Sequence, residues 1–306
     1  MLSALVLLNP FANGGRTLLL EGDIRAFLRT RYPGTRFVVT ESIASAHALI
    51  LDTPADNRVV LVGGDGTINR MLPALVGGGH EVGIVPLGTG NDVARALGCH
   101  GMPWKDALIQ ALTATVTAVD VGLLTMDHRD IPFLSSCTSG FDSAVALRAL
   151  KGPTWLRGMP RYLLATLREL ARLRLWQLTV HCDGKPLRGG AALFASALNT
   201  PTFGSGIPAV PHALISDGML ELLVAGRFSR LGALLMLPRL LLGKHLSDAR
   251  IYNVRFSDLA IHASPPVPVA VDGEYLGEAM DITVRVLPGA LQVVAASVPT
   301  TAQAND

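Results

Sequence analysis

Charged side chains are scarce in this sequence. Asp, Glu, Lys and Arg make up 16% of its 306 residues, against roughly 25% in an average soluble protein, and the mean hydropathy is +0.40. Such a deficit of polarity suits a chain that meets apolar ligands or a membrane surface. A surplus of one charge is missing too: the net charge of +2 gives no global field to draw the chain to nucleic acid. Cysteine is limited to Cys99, Cys137 and Cys182, an odd number without metal-type spacing, which reads as free buried thiols. No apolar run is long enough to span a bilayer, since the longest candidate, 231–243, is short and holds Pro238 and Arg239. Residues 1–10 lack a basic n-region and their apolar run is of strand length, so the expectation is a cytoplasmic chain. There are no internal repeats, and no G-x-x-x-x-G-K-[ST] pattern, which excludes a P-loop enzyme.

What is present is length and glycine. A chain of this size with 31 Gly, 19 Pro and 49% hydrophobic residues can bury a large core and should divide into two domains. Up to about residue 120, β-branched runs at 5–8, 36–40, 59–62 and 82–86 alternate with helix-period segments at 16–31, 43–52, 67–76 and 91–97. That alternation means an α/β domain with a parallel sheet covered on both faces. Beyond it, short runs at 177–182, 191–198, 220–224, 254–256, 260–263, 267–271 and 282–286 are separated by Gly, Pro and Asp-Gly turns, which indicates antiparallel β structure. Two helix-like stretches, 160–175 and 229–245, interrupt it. The polar turn Met126-Asp127-His128-Arg129-Asp130 marks the boundary, giving domains 1–125 and 126–306, with the last strand able to pack back on the first domain and the tail from Pro299 frayed.

The densest motif is Val62-Gly63-Gly64-Asp65-Gly66-Thr67-Ile68-Asn69, three glycines around one carboxylate at the end of a buried strand. Glycine there permits positive φ and close approach of backbone to a ligand, and the helix that follows aims its N-terminus into the turn, where polyphosphate binds. Asp65 would repel phosphate unless a divalent cation bridges them or the carboxylate takes a proton. The loop therefore points to nucleotide plus metal chemistry. Pro86-Leu87-Gly88-Thr89-Gly90-Asn91-Asp92-Val93-Ala94-Arg95 also links a strand to a helix. Read as a dinucleotide fingerprint it lacks the acidic residue about 20 positions on, so a phosphate loop with Asn91 or Asp92 as helix N-cap explains it more simply. Asn9-Pro10-Phe11-Ala12-Asn13-Gly14-Gly15 ends a third strand. A sheet needs connections, but not three permissive glycine clusters on the edge where ligands of parallel sheets sit. Asp272-Gly273-Glu274 reads either as a plain hairpin turn or as a site. Asp183-Gly184 reads as a hairpin, Gly22-Asp23 as a helix start and Asp217-Gly218 as a turn.

Taken in order, Asn9-Pro10, Gly63-Gly64-Asp65-Gly66-Thr67, the 86–95 loop and Asp272-Gly273-Glu274 resemble the diacylglycerol kinase catalytic family. The likeness is greatest to soluble bacterial lipid kinases of the YegS/DgkB type, and more distant to sphingosine and ceramide kinases. Gly140-Phe141-Asp142 and Gly243-Lys244-His245-Leu246 resemble that family's second domain. The resemblance implies an N-terminal domain similar to NAD kinase and phosphofructokinase, a β-sandwich-like C-terminal domain, and an active site in the cleft between them. It implies ATP contacts from Asn9, Pro10, Phe11, Ala12, Asn13, Thr40, Gly63, Gly64, Asp65, Gly66, Thr67, Ile68, Asn69 and Thr89. It implies catalytic roles for Asp65, Asp272 and Glu274, either of the last two serving as general base, and a structural Mg²⁺ held by the Asp217 side chain with the carbonyls of Leu214 and Met219. One departure is the first loop, where Asn-Pro-Phe-Ala-Asn-Gly-Gly replaces the family's Asn-Pro-x-Ser-Gly-Lys, losing a hydroxyl; Asn13 can adopt the left-handed conformation of the missing glycine.

The function expected is transfer of the γ-phosphoryl group of ATP to a lipid hydroxyl, with diacylglycerol, phosphatidylglycerol or a sphingoid base as acceptor. The alternatives weighed are an NAD kinase and a catalytically silent lipid- or nucleotide-binding regulator. Partners are a lipid substrate and the inner face of the membrane, touched transiently, and no nucleic acid. The oligomeric state is left open, a homodimer being one option. Arg157, Arg161, Arg168, Arg172 and Arg174 interleave with leucines, a pattern that either lies on anionic headgroups or packs its leucines inward.

Overall fold

The computed structural model describes residues 3–153, 155–156 and 158–295. Arg157 and the tail from Pro299 lie outside the described residues. The chain divides into two compact units, Met1–Val119 with Gly289–Asp306, and Asp120–Pro288.

In the first unit, β1 (Ala4–Leu8), β2 (Arg36–Val39), β3 (Arg58–Gly63) and β4 (Glu81–Pro86) pair in parallel in the order β2-β1-β3-β4. Gln292 and Val293 add in parallel to Glu81 and Val82 of β4. The connections carry α1 (Glu21–Arg31), α2 (Ile43–Leu51), α3 (Asp65–Leu75), α4 (Asp92–Ala96) and α5 (Trp104–Thr113). Every residue of β1 and β3 is buried, which is why these strands read as unbroken apolar runs instead of alternating ones. Val6, Leu8, Val60 and Val62 pack with Ile24 and Leu28 of α1 and Leu108 and Leu112 of α5, each such burial contributing about 2 kcal/mol before chain entropy is counted. The helix expected over 16–31 begins only at Glu21. Before it, Ala12–Leu20 is a 3₁₀ stretch in which Asn13, Gly14 and Gly15 have φ of 51°, 64° and 86°. Three successive left-handed residues interrupt α-helical bonding, and only Asn and Gly adopt that region cheaply.

The second unit holds most of β5 (Val116–Met126), then β6 (Arg129–Phe133), β7 (Ser136–Ser139), α6 (Phe141–Leu150), α7 (Met159–Leu170), β8 (Trp176–Cys182), β9 (Lys185–Ala192) and β10 (Phe194–Leu198). β11 (Leu220–Ala225), α8 (Arg230–Leu241), β12 (Ile251–Phe256), β13 (Asp258–Val271) and β14 (Glu274–Val294) follow, the last passing out of the unit at Gly289. An antiparallel ladder runs β12-β11-β10-β7-β13-β14, while β8 pairs with β13 and β9 with β8. The stretches 260–263 and 267–271 are thus parts of one strand. Its first part pairs with β8 and its second with β7, with a register break between His262 and Val267. Pro265 and Pro266, which carry no N–H, fall at that break. This is how β13 serves both layers of a sandwich-like fold, with Leu178, Val180, Val224, Phe256, Ile261 and Ala263 in the core. The run 191–198 likewise divides, Ala191 and Ala192 closing β9 and Phe194 opening β10. The polar turn at 126–130 joins β5 to β6 through Asp127 and His128, at φ of 50° and 60°. α7 and α8 are shorter than the stretches that announced them, and α6 carried no helical expectation.

Candidate functional site

Register places the three glycine turns of the first unit side by side, because Leu8 pairs with Val62 and Gly63 with Pro86 at the strands' carboxyl ends. The contact between two of them is backbone to backbone. A Cβ on Gly64 would lie 2.6 Å from Gly88 Cα, and one on Gly88 would lie 2.4 Å from Gly64 Cα. Gly63 is equally constrained, since a Cβ there would meet Thr67 Oγ1 at 2.3 Å. These glycines are required by close packing of the loops as much as by any ligand.

Asp65 holds the two loops together. It opens α3, and its carboxylate oxygens accept the backbone N–H groups of Asp92 (3.0 Å) and Val93 (3.2 Å) at the start of α4. The cap of α4 therefore comes from another helix, 27 residues away in sequence. Asn91, in the cap position at φ 56°, makes no capping bond. Its side chain instead accepts Gly88 N–H and donates to the Gly88 carbonyl (2.9 Å), fixing the 88–91 loop. Asn91 thus stands at the N-cap as expected, but the capping bonds come from Asp65, a partner whose signal is tertiary.

Asn9 donates to Thr67 Oγ1 at 2.8 Å and accepts Phe11 N–H at 3.0 Å, so the first turn is tied to α3. A cavity of about 280 Å³ beside this tie is lined by Asn9, Phe11, Thr40 and Thr67, with Glu41, Ser42, Ile43 and Arg70. The last four were not singled out in the sequence, where they sit in ordinary helix-start and helix-surface contexts. Phe11 is 76% exposed and Ile43 45%, leaving apolar faces at the rim. The Thr40 hydroxyl is engaged by the Leu8 carbonyl at 3.2 Å. Pro10, Ala12 and Asn13 lie on the same turn as Phe11, Gly66 and Asn69 in the first turns of α3, and Thr89 is exposed on the third turn. Ile68, 3% exposed, belongs to the core, and its N–H is taken by the Gly64 carbonyl at 3.2 Å.

In the second unit, Asp272 and Gly273, at φ of 46° and 84°, turn β13 into β14 and place Glu274 at the first position of β14, half-buried. The hairpin is more than a turn. The Asp272 carboxylate accepts three backbone N–H groups, from Leu134 (3.0 Å), Ser135 (2.8 Å) and Ser136 (2.9 Å).

The segment holding Leu214, Asp217 and Met219 is a separate turn. Asp217 accepts Met219 N–H at 3.1 Å and is ion-paired with Arg255. Gly218 N–H donates to the buried Asp120 carboxylate at 2.7 Å. Asn199 then joins the Asp120 carbonyl to the Leu134 carbonyl (2.8 and 2.9 Å), and Leu134 N–H reaches Asp272. A buried chain of hydrogen bonds so connects the 214–219 turn to the Asp272 hairpin. Among the described residues no cluster of three or more His, Cys, Asp or Glu could hold a metal ion.

Also in the second unit, α6, α7 and α8 stand over β10 and β11 and enclose an apolar pocket of about 100 Å³. Phe141, Val145, Leu163, Phe194, Met236 and Leu237 are among its walls, with Asp142, Tyr162, Thr166 and His245 as its polar members. Burial pushes the Asp142 carboxyl up to about 7, against the lowering effect of a hydrogen bond from Ser196 Oγ at 3.1 Å. Burial pushes His245 down, so its imidazole is neutral at ordinary pH. No helix among the described residues is long and apolar enough to cross a membrane.

Residues 3–124 match the diacylglycerol kinase catalytic domain, and residues 135–295 match the YegS C-terminal NAD kinase beta sandwich-like domain. A diacylglycerol kinase of Mycobacterium tuberculosis is 29% identical over 94% of this chain and 93% of its own length. A protein of Pectobacterium atrosepticum named "Probable lipid kinase YegS-like" is 30% identical over 78% of this chain and 77% of its own. The crystal structure of a diacylglycerol kinase from Bacillus anthracis superimposes with a TM-score of 0.76 at 20% identity, over 96% of this chain and 97% of that one, a likeness of fold.

Proposed function

Because this chain belongs to the diacylglycerol kinase family of lipid kinases, with a YegS-type C-terminal domain, we propose that it transfers the γ-phosphoryl group of ATP to the hydroxyl of an uncharged diacyl lipid. The name carried by the M. tuberculosis relative, which spans nearly the whole chain, supports diacylglycerol as that lipid. The observation that carries the lipid half of the reading is the apolar pocket under α6, α7 and α8, whose lining offers no Lys or Arg to a phosphate.

The nucleotide half rests on the first unit. Phe11 and Ile43 offer apolar faces to a base, and the cavity beside them leads to Asn9 and Thr67 at the start of α3. Glycines at 63, 64 and 66 leave room for phosphate oxygens against the backbone, and the positive end of α3 favours their charge. Asp65, held at the start of α3 by the N–H groups of Asp92 and Val93, is the carboxylate at this edge that would organise a hydrated cation. Mg²⁺, when bound, would neutralise charge that develops on the transferred group.

Of the two hairpin carboxylates, Asp272 is held by three N–H groups and serves as an anchor. Glu274, next to it on β14, is our choice for the group that takes the acceptor's hydroxyl proton. The second cation proposed, at the 214–219 turn, suits the residues in kind, since a carboxylate and two carbonyls are the oxygen donors Mg²⁺ takes. Arg255 supplies part of the counter-charge to Asp217 there. The exposed leucines of α7 and α8, with Leu231 at 64%, Leu235 at 65% and Leu167 at 43%, are proposed to rest on the membrane beside Arg168, Arg172 and Arg239.

Incubation with γ-labelled ATP and a panel of diacylglycerol, phosphatidylglycerol, sphingosine and NAD tests the reading. Label in phosphatidic acid is the expected result. Label in NADP alone would make the chain an NAD kinase, and label in nothing, with ATP still bound, would make it a silent binder.

A further inference from the structure

The pocket beneath α6, α7 and α8 is apolar except at a few points, and one of those points is a carboxyl. Asp142 stands in the first turn of α6 between Phe141 and Val145, and all three line the pocket. Its Oδ2 accepts the Ser196 hydroxyl at 3.1 Å, and among the described residues Oδ1 has no hydrogen-bond partner. No Lys or Arg lines the pocket to balance a negative charge. A carboxyl in such a place is costly as an anion and useful as a neutral donor.

We propose that Asp142 is the polar recognition point of this pocket, donating a hydrogen bond from its carboxylic acid to an ester or hydroxyl oxygen of a neutral glycerolipid. The proposal rests on the lipid-kinase reading and goes beyond it by naming the residue that selects an uncharged acceptor. Asp142 retains some accessible surface, but that surface is walled by apolar side chains, so its carboxyl is desolvated and pushed up to about 7. The protonated acid donates; the anion can only accept, and it repels the oxygen it had bound. Lipid affinity should therefore fall as pH rises through about 7.

The other titratable groups on the pocket are Tyr162 from α7 and His245 from the turn after α8; β10, β11 and α8 present apolar residues, and β10 contributes Ser196. His245 gives its Nε2 to the Ala209 carbonyl at 2.8 Å, the ring nitrogen roles being assigned from that bond, and its buried Nδ1 has no partner. Burial keeps the ring neutral, so its titration belongs to the acid side and leaves the alkaline limb to Asp142.

The test measures KM for dispersed diacylglycerol and KM for ATP from pH 6 to 8.5, alongside binding of a pyrene-labelled diacylglycerol without ATP. The wild type should show lipid KM rising about tenfold per pH unit above 7 while KM for ATP stays level. Asp142→Asn, a neutral donor at every pH, should flatten the lipid profile. Asp142→Leu should weaken lipid binding at all pH values by about 5-fold, one neutral hydrogen bond. Ser196→Ala should move the midpoint upward, because that hydroxyl favours the anion. If the wild type phosphorylates lipid with a level lipid KM, or if the Asn variant follows the wild-type profile, Asp142 does not recognise the lipid although the enzyme is a lipid kinase. If no lipid is phosphorylated the kinase reading itself fails, and pyrene-lipid binding that ignores pH and Asp142 substitution then overturns the assignment separately.

Discussion

Asp65 joins two demands in one carboxylate. Its oxygens cap α4 and, in the proposed reaction, organise a cation. Asp65→Asn keeps one acceptor and turns the other atom into a donor facing an N–H, so stability should fall by about 1–2 kcal/mol. Turnover should fall further, by roughly 10²-fold or more. Thermal unfolding and steady-state kinetics on the same preparation separate the effects; a fully stable variant with near-normal turnover would remove both roles. The hairpin carboxylates should divide differently. Glu274→Gln is expected to lower kcat by ~10²–10⁴-fold with unchanged ATP binding. Asp272→Ala frees three buried N–H donors and should lower the melting temperature first. Comparable kcat losses with equal stability would return the assignment to an open choice between them.

At the level of elements, the helices of the second unit matter most. α7 buries Ala165 and Leu170 while Leu163 and Leu167 stay 39% and 43% exposed, so its apolar stripe is wider than its buried face. α8 buries little beyond Ala233. Of the leucines that the sequence pattern left between core and membrane, packing buries Leu170 and partly covers Leu164, Leu173, Leu237 and Leu240, and leaves Leu163, Leu167, Leu231, Leu234, Leu235, Leu241 and Leu242 exposed. Charge reversal at Arg168 and Arg172, or Leu231→Asp with Leu235→Asp, should each reduce sedimentation with vesicles containing phosphatidylglycerol, the first effect vanishing at high salt and the second persisting. Unaltered sedimentation of both double variants would leave these helices as packed elements only.

For the whole molecule, the buried chain from Gly218 through Asp120, Asn199 and Leu134 to Asp272 makes the 214–219 turn and the hairpin one cooperative piece. A cation bound at Asp217 should therefore stabilise the folded chain by mass action. Millimolar Mg²⁺ is expected to raise the wild-type melting temperature by a few degrees and that of Asp217→Ala by less; equal shifts would remove the ion from that turn. Loss of the Arg255 pair in the same variant lowers the baseline, so the comparison is of shifts.

Sequence alone determined the strands of the parallel sheet and the glycine turns at their ends, because β-branched runs and Gly-Gly breaks are local signals, while the lateral order β2-β1-β3-β4 came from the fold. It determined the antiparallel region as well, since Asp183-Gly184 and Asp272-Gly273 carry their own turn geometry. Tertiary structure decided what joins those turns: Gly64 against Gly88, Asp65 onto α4, Asp272 onto the 134–136 backbone. It also decided that 260–263 and 267–271 are one strand, that α6 is a helix, and that Asp142 lies in an apolar wall. Each of these depends on residues 24 to 138 positions apart or on burial, and neither distance in space nor loss of water is written in the spacing of side chains along the chain.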